Sequence, residues 1–465
     1  MKDSIKKIFW LISILFFLII IWLCKLTFVD REKIITNSYN PRLQYTDDNI
    51  KRGSIKDING QIIAESKFEN NRYIRYYPRS RMAAHITGYS YNGKTGIEAS
   101  KNFELETIHN EFFQRISNAF TNSEVRGNDV ILTIDMDIQS IAGNLLGSQK
   151  GAIVVMEPST GKILAMQSYP DFNPNNIDKD WEELKISKES PLINRGTQGL
   201  YPPGSTFKLV TTIAAMEYLE NWESFIYDCK GEANFEDKII HCYNNKAHNA
   251  VDMKKAITYS CNCYFAEIGK ILGNEKLRLI ADKIMINSLI NFELPTSQSS
   301  VVIDRNSSES ELVETSIGQG KTVVTPLYMA TLVSSIANNG VMKKPYIVDH
   351  IESYDGKIVD KTLSKTLTNV INSDKSKIIV DMMIDVVNTG TGKGAKLDKY
   401  QVAGKTGTAE NSEGKSHSWF VGFAPANNPQ VAIAVLLENV GNNKQAAPIA
   451  GKIIKTVLDK KNSNN

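Results

Sequence analysis

The pairing in this chain best suited to nucleophilic chemistry is a serine three residues before a lysine, in the run Tyr201-Pro-Pro-Gly-Ser-Thr-Phe-Lys208. A serine hydroxyl is a poor nucleophile until a base takes its proton. On a helix the base must stand three or four positions away, and Lys208 stands three on from Ser205. Pro202, Pro203 and Gly204 mark a forced turn that puts Ser205 at a helix N-terminus, where free N–H groups favour developing negative charge. Apolar neighbours disfavour the charged form of Lys208, which suits it to act as a base. The same spacing recurs by chance in many helices, and the Pro-Pro-Gly lead-in is what distinguishes this instance.

Two further runs carry the right residue types. Ser260-Cys-Asn262 places a hydroxyl two positions from a carboxamide, so that Ser260 can relay a proton and Asn262 can hold a substrate amide with a donor and an acceptor. The competing reading is a helix cap ahead of Tyr264 to Ile268. Gly404-Lys-Thr-Gly-Thr408 reads as an exposed strand with glycines where another backbone approaches closely. Lys405 supplies positive charge there, and Thr406 and Thr408 supply hydroxyls for a carboxylate, with Gly407 between them. A phosphate-binding loop built from Gly390-Thr-Gly392 and Gly404-Lys-Thr406 fails, because Lys399 stands where the first glycine of GxxxxGK[ST] is required.

These runs need a framework. Residues 30–126 are polar and broken, with Arg52-Gly-Ser-Ile-Lys-Asp-Ile-Asn-Gly60 reading as a strand entering a turn and Gly93 to Glu98 as a loop, so this part is expected to be a pedestal. From Gly127 the pattern tightens. Val130 to Ile134 reads as a strand, Ile138 to Leu146 as a helix, and Ala152 to Met156 pairs with Ile163 to Met166 as a hairpin. Helices are expected from Ser205 to Met216, from Pro326 to Asn339 with Gly340 closing it, and from Ile449 to Leu458. Trp419 to Phe423 and Val431 to Leu437 read as antiparallel strands. The expected fold class is α+β, with an antiparallel sheet packed by helices over residues 127–460 and a disordered tail at 461–465.

The chain has 465 residues, a net charge of +3 and 23% charged residues, which excludes a polyelectrolyte and is too nearly balanced to make nucleic acid a default partner. Ile8 to Cys24 carries no charge, is close to bilayer length, and favours insertion by roughly 4–8 kcal/mol. A buried core helix would keep a polar face, and a cleaved signal would carry a shorter apolar core and a small-x-small site. Lys2, Lys6 and Lys7 precede the span, so the positive-inside bias places residues 1–29 as a cytoplasmic tail and anchor and sends the rest outside the cell membrane. Outside that span lie Cys229, Cys242, Cys261 and Cys263, too few for a disulfide framework, although Cys229 and Cys242 can form one bridge. A zinc site joining them to His241 and His248 is disfavoured, since no CxxC is present and Cys261 and Cys263, on one helix, point to different faces. They are expected to be buried or bridged thiols, with no metal and no cofactor.

SxxK, SxN and KTG in this order resemble the motif set of penicillin-binding proteins and serine β-lactamases. The chain as a whole resembles a class B penicillin-binding protein. Arg52 to Gly60 is similar to the family's pedestal signature. Thr133-Ile-Asp-Met-Asp-Ile-Gln139, Ala152 to Ser168, Asn194-Arg195, Gly318-Gln-Gly320, Thr325-Pro-Leu327 and His417 to Pro425 are similar to its transpeptidase landmarks, with His248-Asn249 where His-Gly is common. The resemblance implies a D,D-transpeptidase acting on peptidoglycan stem peptides ending in D-Ala-D-Ala and acylated by β-lactam antibiotics. It implies Ser205 as nucleophile, Lys208 as base, Ser260 and Lys405 as a proton path, Asn262 on the peptide amide, and Thr406, Gly407 and Thr408 lining the carboxylate site. It also implies a partner that polymerises glycan, a multi-pass membrane glycosyltransferase. A β-lactamase shares the acylation machinery but not the pedestal and anchor. A β-lactam receptor would need a cytoplasmic output domain.

Overall fold

The computed structural model describes residues 2–28, 51–91, 93–106, 126–236, 238–410, 414–441 and 445–463. Lys2–Phe28 is one helix, and Ile5–Thr27 within it is long and apolar enough to cross a membrane, with a mean hydropathy of 2.6. Its side chains from Ile5 onward bury almost nothing against protein, as a single-pass anchor requires.

The body is organised around a five-stranded antiparallel sheet in the order Ala403–Ala409, His417–Ala424, Val431–Leu437, Gly151–Met156, Ile163–Tyr169. Both hairpins read from sequence are present; Val431–Leu437 keeps its expected bounds, and the other three strands run one to three residues longer. The middle strands are continuous apolar runs because both faces are covered. Val154, Met156, Ala432 and Ala434 join the core that holds helix Pro326–Ala337, while Ile153, Val155, Ile433 and Val435 join the core under helix Ala446–Ser463. Burying each such valine, isoleucine or methionine side chain contributes about 1.5–3 kcal/mol before entropy is counted, so the sheet is the rigid floor of the domain.

A second sheet runs in the order Ile358–Lys361, Val348–Glu352, Asp129–Leu132, Ile55–Lys56, Ile62–Glu69, Arg72–Tyr76. The segment expected as a pedestal is therefore completed by strands from beyond residue 127, through the parallel pairing Ile55↔Val130 and the antiparallel pairing Ile351↔Val130. The turn read at Asp57 to Gly60 is present. The Asp57 carboxylate accepts from the backbone N–H groups of Asn59 and Gln61, and Gly60 has φ +80°. The stretch Gly93 to Glu98, read as a loop, leads into the short helix Gly96–Ser100. That helix carries the fully buried Glu98, paired with Arg52 at 2.8 Å and Arg75 at 2.6 Å, and burial without those partners would be strongly unfavourable.

At the other end the last helix runs to Ser463, beyond the expected stop at Leu458 and into the segment expected to be disordered. Lys460 pairs with Asp135 at 2.6 Å and Lys461 with Glu157 at 2.8 Å, contacts from distant sequence that extend the helix.

Candidate active site

Gly204 adopts φ +52° after the two prolines, and a 3-10 turn over Gly204–Phe207 leads into the α-helix Lys208–Tyr218. The sequence pattern placed Ser205 on the α-helix itself; the tighter turn serves the chemistry better. In 3-10 geometry the side chains at i and i+3 eclipse. Lys208 Nζ accordingly lies 3.0 Å from Ser205 Oγ. The turn is held from three sides. Gly204 N donates to Gly318 O at 2.9 Å, Thr206 Oγ1 donates to Pro203 O at 2.7 Å, and Trp419 Nε1 donates to Pro202 O at 3.0 Å.

Helix Met253–Tyr259 ends at Ser260, which sits in the left-handed region at φ 59°, ψ 45°. A non-glycine residue held there costs about 1–3 kcal/mol and persists because its surroundings fix it. Lys208 Nζ lies 2.8 Å from Ser260 O, 3.1 Å from Ser260 Oγ and 2.5 Å from Asn262 Oδ1. Asn262 Nδ2 donates to His241 O at 2.7 Å, so both ends of this carboxamide already have protein partners. The cap of the following helix, Asn262–Lys283, is neither Ser260 nor Asn262 but Cys261, whose sulfur accepts from Tyr264 N.

The third run is the edge strand Ala403–Ala409. It pairs with His417–Ala424 on one side, and among the described residues no strand covers its other edge, which lets an extended peptide add there. Gly407 is required by contact: a Cβ there would stand 2.9 Å from Pro203 O and 3.1 Å from Trp419 Cβ. Lys405 Nζ donates to Thr406 O at 2.9 Å and lies 3.0 Å from Ser260 Oγ. Ser260 Oγ thus bridges two fully buried lysines.

Two buried ammonium groups sharing one hydroxyl repel each other and lack water, so the site disfavours charging both. Burial lowers Lys208 to about 8, opposed in part by the nearby thiols of Cys261, Cys242 and Cys263. Burial first, and then the charge of Lys208, push Lys405 well below its ordinary value. A neutral Lys208 donates its two protons to Ser260 O and Asn262 Oδ1 and turns its lone pair toward Ser205. Since the neutral form is the base, its fraction grows as pH rises. Penicillin acylation is expected to speed up about tenfold per pH unit below roughly 8 and to level off above it. Stopped-flow acylation between acidic and alkaline pH checks this, and a rate that falls with rising pH contradicts it.

All eight site residues named from sequence are brought together: Ser205, Lys208, Ser260, Asn262 and Lys405 are linked by hydrogen bonds, and Thr406, Gly407 and Thr408 continue the strand from Lys405. Two contributors escaped the sequence reading. Thr391 Oγ1 lies 2.6 Å from Thr406 Oγ1, in the Gly390-Thr-Gly392 run weighed only as a phosphate loop. Glu438 accepts from Tyr201 Oη at 2.6 Å and Arg195 Nε at 2.7 Å, steadying the start of the nucleophile run; no local pattern marks it.

Residues 151–458 match the penicillin binding protein transpeptidase domain, and residues 52–130 match the penicillin binding protein A dimerisation domain. The chain is 30% identical over 455 residues to peptidoglycan D,D-transpeptidase PbpA of Mycolicibacterium smegmatis, covering 90% of this chain and 91% of the relative. It is 30% identical to peptidoglycan D,D-transpeptidase MrdA of Acinetobacter baumannii, covering 81% of this chain and 65% of that protein. The imipenem acyl-enzyme complex of penicillin-binding protein A from M. tuberculosis superposes with a TM-score of 0.83 at 31% identity, covering 88% of this chain and 99% of that one. With the serine, two lysines and edge strand assembled as described and the domain match spanning residues 151–458, the chain belongs to the penicillin-binding protein transpeptidase family.

Proposed function

We propose that the chain is a peptidoglycan D,D-transpeptidase in which Ser205 carries the acyl group. The observation that supports this most directly is the continuous path Ser205 Oγ, Lys208 Nζ, Ser260 Oγ, Lys405 Nζ, each step 3.0–3.1 Å. A stem peptide ending in D-Ala-D-Ala lies along the open edge of Ala403–Ala409, its terminal carboxylate at Thr406 and Thr408 and its amide at Asn262. Ser205 Oγ attacks the penultimate D-Ala carbonyl carbon while Lys208 takes the hydroxyl proton. Backbone N–H groups of Ser205 and Thr408 receive the oxyanion, where losing one donor costs about 3–4 kcal/mol. The C–N bond then breaks, and a proton passed through Ser260 and Lys405 leaves with the D-Ala amine. An amine from a second stem peptide attacks the ester carbonyl, Lys208 accepts its proton, and as the C–O bond to Ser205 breaks Lys208 returns that proton to Ser205 Oγ. A β-lactam ring acylates Ser205 by the same first step and leaves no departing amine, so the ester persists.

Lys6 and Lys7 in the first turns of the apolar helix support an N-terminus in the cytoplasm and an active site outside the cell membrane, where the substrate lies. The cross-linker requires polymerised glycan, and a multi-pass membrane glycosyltransferase contacting anchor and pedestal is the proposed partner. Purified enzyme given a D-Ala-D-Ala stem-peptide mimic with an amine acceptor is expected to release D-Ala and form the cross-linked dimer. Free acid as the sole product, with acceptor present, would identify a carboxypeptidase instead.

A further inference from the structure

Thr391, in the Gly390-Thr-Gly392 run, touches both the segment that leads to Ser260 and the edge strand, yet takes no part in the path from Ser205 to Lys405. The run follows helix Ser373–Asn388 and folds back onto its end, with Gly390 N donating to Asp385 O at 3.0 Å and Gly392 N to Val386 O at 2.8 Å. On one side Thr391 N donates to Thr258 O at 3.3 Å, two residues before Ser260. The approach there is close: a Cβ on Gly390 would stand 2.2 Å from Thr258 O. Lys254 pairs with Asp385 at 3.0 Å and joins the same two helices, Met253–Tyr259 and Ser373–Asn388, a second time. On the other side Thr391 Oγ1 lies 2.6 Å from Thr406 Oγ1, on strand Ala403–Ala409.

Backbone bonds thus place Thr391, and its side chain, exposed at the surface, acts on Thr406. Burial alternates along the strand: Lys405 and Gly407 are buried, Thr406 is half-buried and Thr408 exposed, so Thr406 leaves the face of Lys405 and meets Thr391 on the other. A carboxylate only accepts hydrogen bonds, whereas a hydroxyl offers one donor and two acceptor positions. For Thr406 to give its single proton to a substrate carboxylate, its bond to Thr391 must run with Thr391 donating and Thr406 accepting. Two hydroxyls in line on an anion polarise one another, and the last bond is charge-assisted.

We infer that Thr391 is a positioning residue for the terminal carboxylate: it holds the Thr406 hydroxyl with its proton directed at the substrate, and so raises selectivity for stem peptides and β-lactams that carry a free carboxylate. The inference rests on the reading of Thr406 as a carboxylate ligand. Because the backbone of Thr391 is anchored two residues before Ser260, the carboxylate site and the proton path are set in register by one short run. The helix-end bonds and the Thr258 contact hold that run without help from the hydroxyl, which is therefore separable from the fold.

The test compares benzylpenicillin with its methyl ester, which presents the same ring without the anion, on the full chain in detergent. Thr391→Val keeps the side-chain shape and the backbone bond to Thr258 and removes only the hydroxyl. It is expected to slow acylation by the free acid about tenfold while the ester rate stays within about twofold, so the acid-to-ester ratio falls about tenfold. Thr391→Ser, which keeps the hydroxyl, should restore the ratio. Both rates are read on one preparation, so the ratio is insensitive to any loss of folded enzyme. An unchanged ratio in Thr391→Val, whether the two rates hold or fall together, overturns the positioning role, as does a ratio that Thr391→Ser leaves as low as Thr391→Val does. Failure of the underlying reading looks different and overturns both: wild type would then acylate no faster with the acid than with the ester, or carry no adduct on Ser205.

Discussion

Replacing Lys208 with methionine is expected to lower the second-order rate constant for penicillin acylation by about 10²–10⁴-fold while leaving the protein folded. Methionine keeps the length and apolar contacts of the side chain at a position that is fully buried and faces the Phe265 ring at 5.8 Å. What it removes is the amine 3.0 Å from Ser205 Oγ, together with the donor to Ser260 O and Asn262 Oδ1. The residual rate should lose the rise with pH, because the group whose neutral fraction produced it is gone. Stopped-flow acylation of wild type and variant across pH, with circular dichroism to confirm folding, is the check. A variant within threefold of wild type would remove Lys208 from the role of base.

The second large effect is expected at Gly204, where the chemistry depends on backbone alone. At φ +52° an L side chain is strained, and a Cβ there would stand 2.4 Å from Thr408 O, on the edge strand that carries Lys405. Gly204→Ala must therefore push the nucleophile turn and the strand apart. A displacement near 1 Å between reacting groups costs about a hundredfold in rate, and that is the loss expected in acylation. The core under the sheet is untouched, so the melting temperature should fall by only a few degrees, about what the strain and one misplaced contact cost. Acylation kinetics beside thermal unfolding separates the two; a variant that melts early yet acylates normally would contradict the close-approach argument.

What the sequence disclosed and what it withheld divide along a physical line. Ser205 and Lys208 are three residues apart and Ser260 and Asn262 two, so local spacing carried the information. The apolar runs at Gly151–Met156 and Val431–Leu437 were legible because strands covered on both faces need no polar alternation. Features set by distant contacts were not. Strands Val348–Glu352 and Ile358–Lys361 complete a sheet begun some three hundred residues earlier at Ile55. The terminal helix reaches Ser463 because Lys460 and Lys461 meet acids from residues 135–157. Thr391 meets Thr406 only once the Gly390-Thr-Gly392 loop is folded, with Thr391 N donating to Thr258 O at 3.3 Å. The grouping of Cys229, Cys242 and Cys261 with His248 was named from sequence and set aside, in part because Cys261 was read as helical, whereas it caps the helix Asn262–Lys283.

The acyl-carrying role of Ser205 is tested most directly by mass spectrometry of the penicillin-treated full chain. The account predicts one penicilloyl adduct per chain on the peptide containing Ser205, stable over minutes, and none in Ser205→Ala. An adduct of equal yield in Ser205→Ala, or one mapped to another residue, would contradict it.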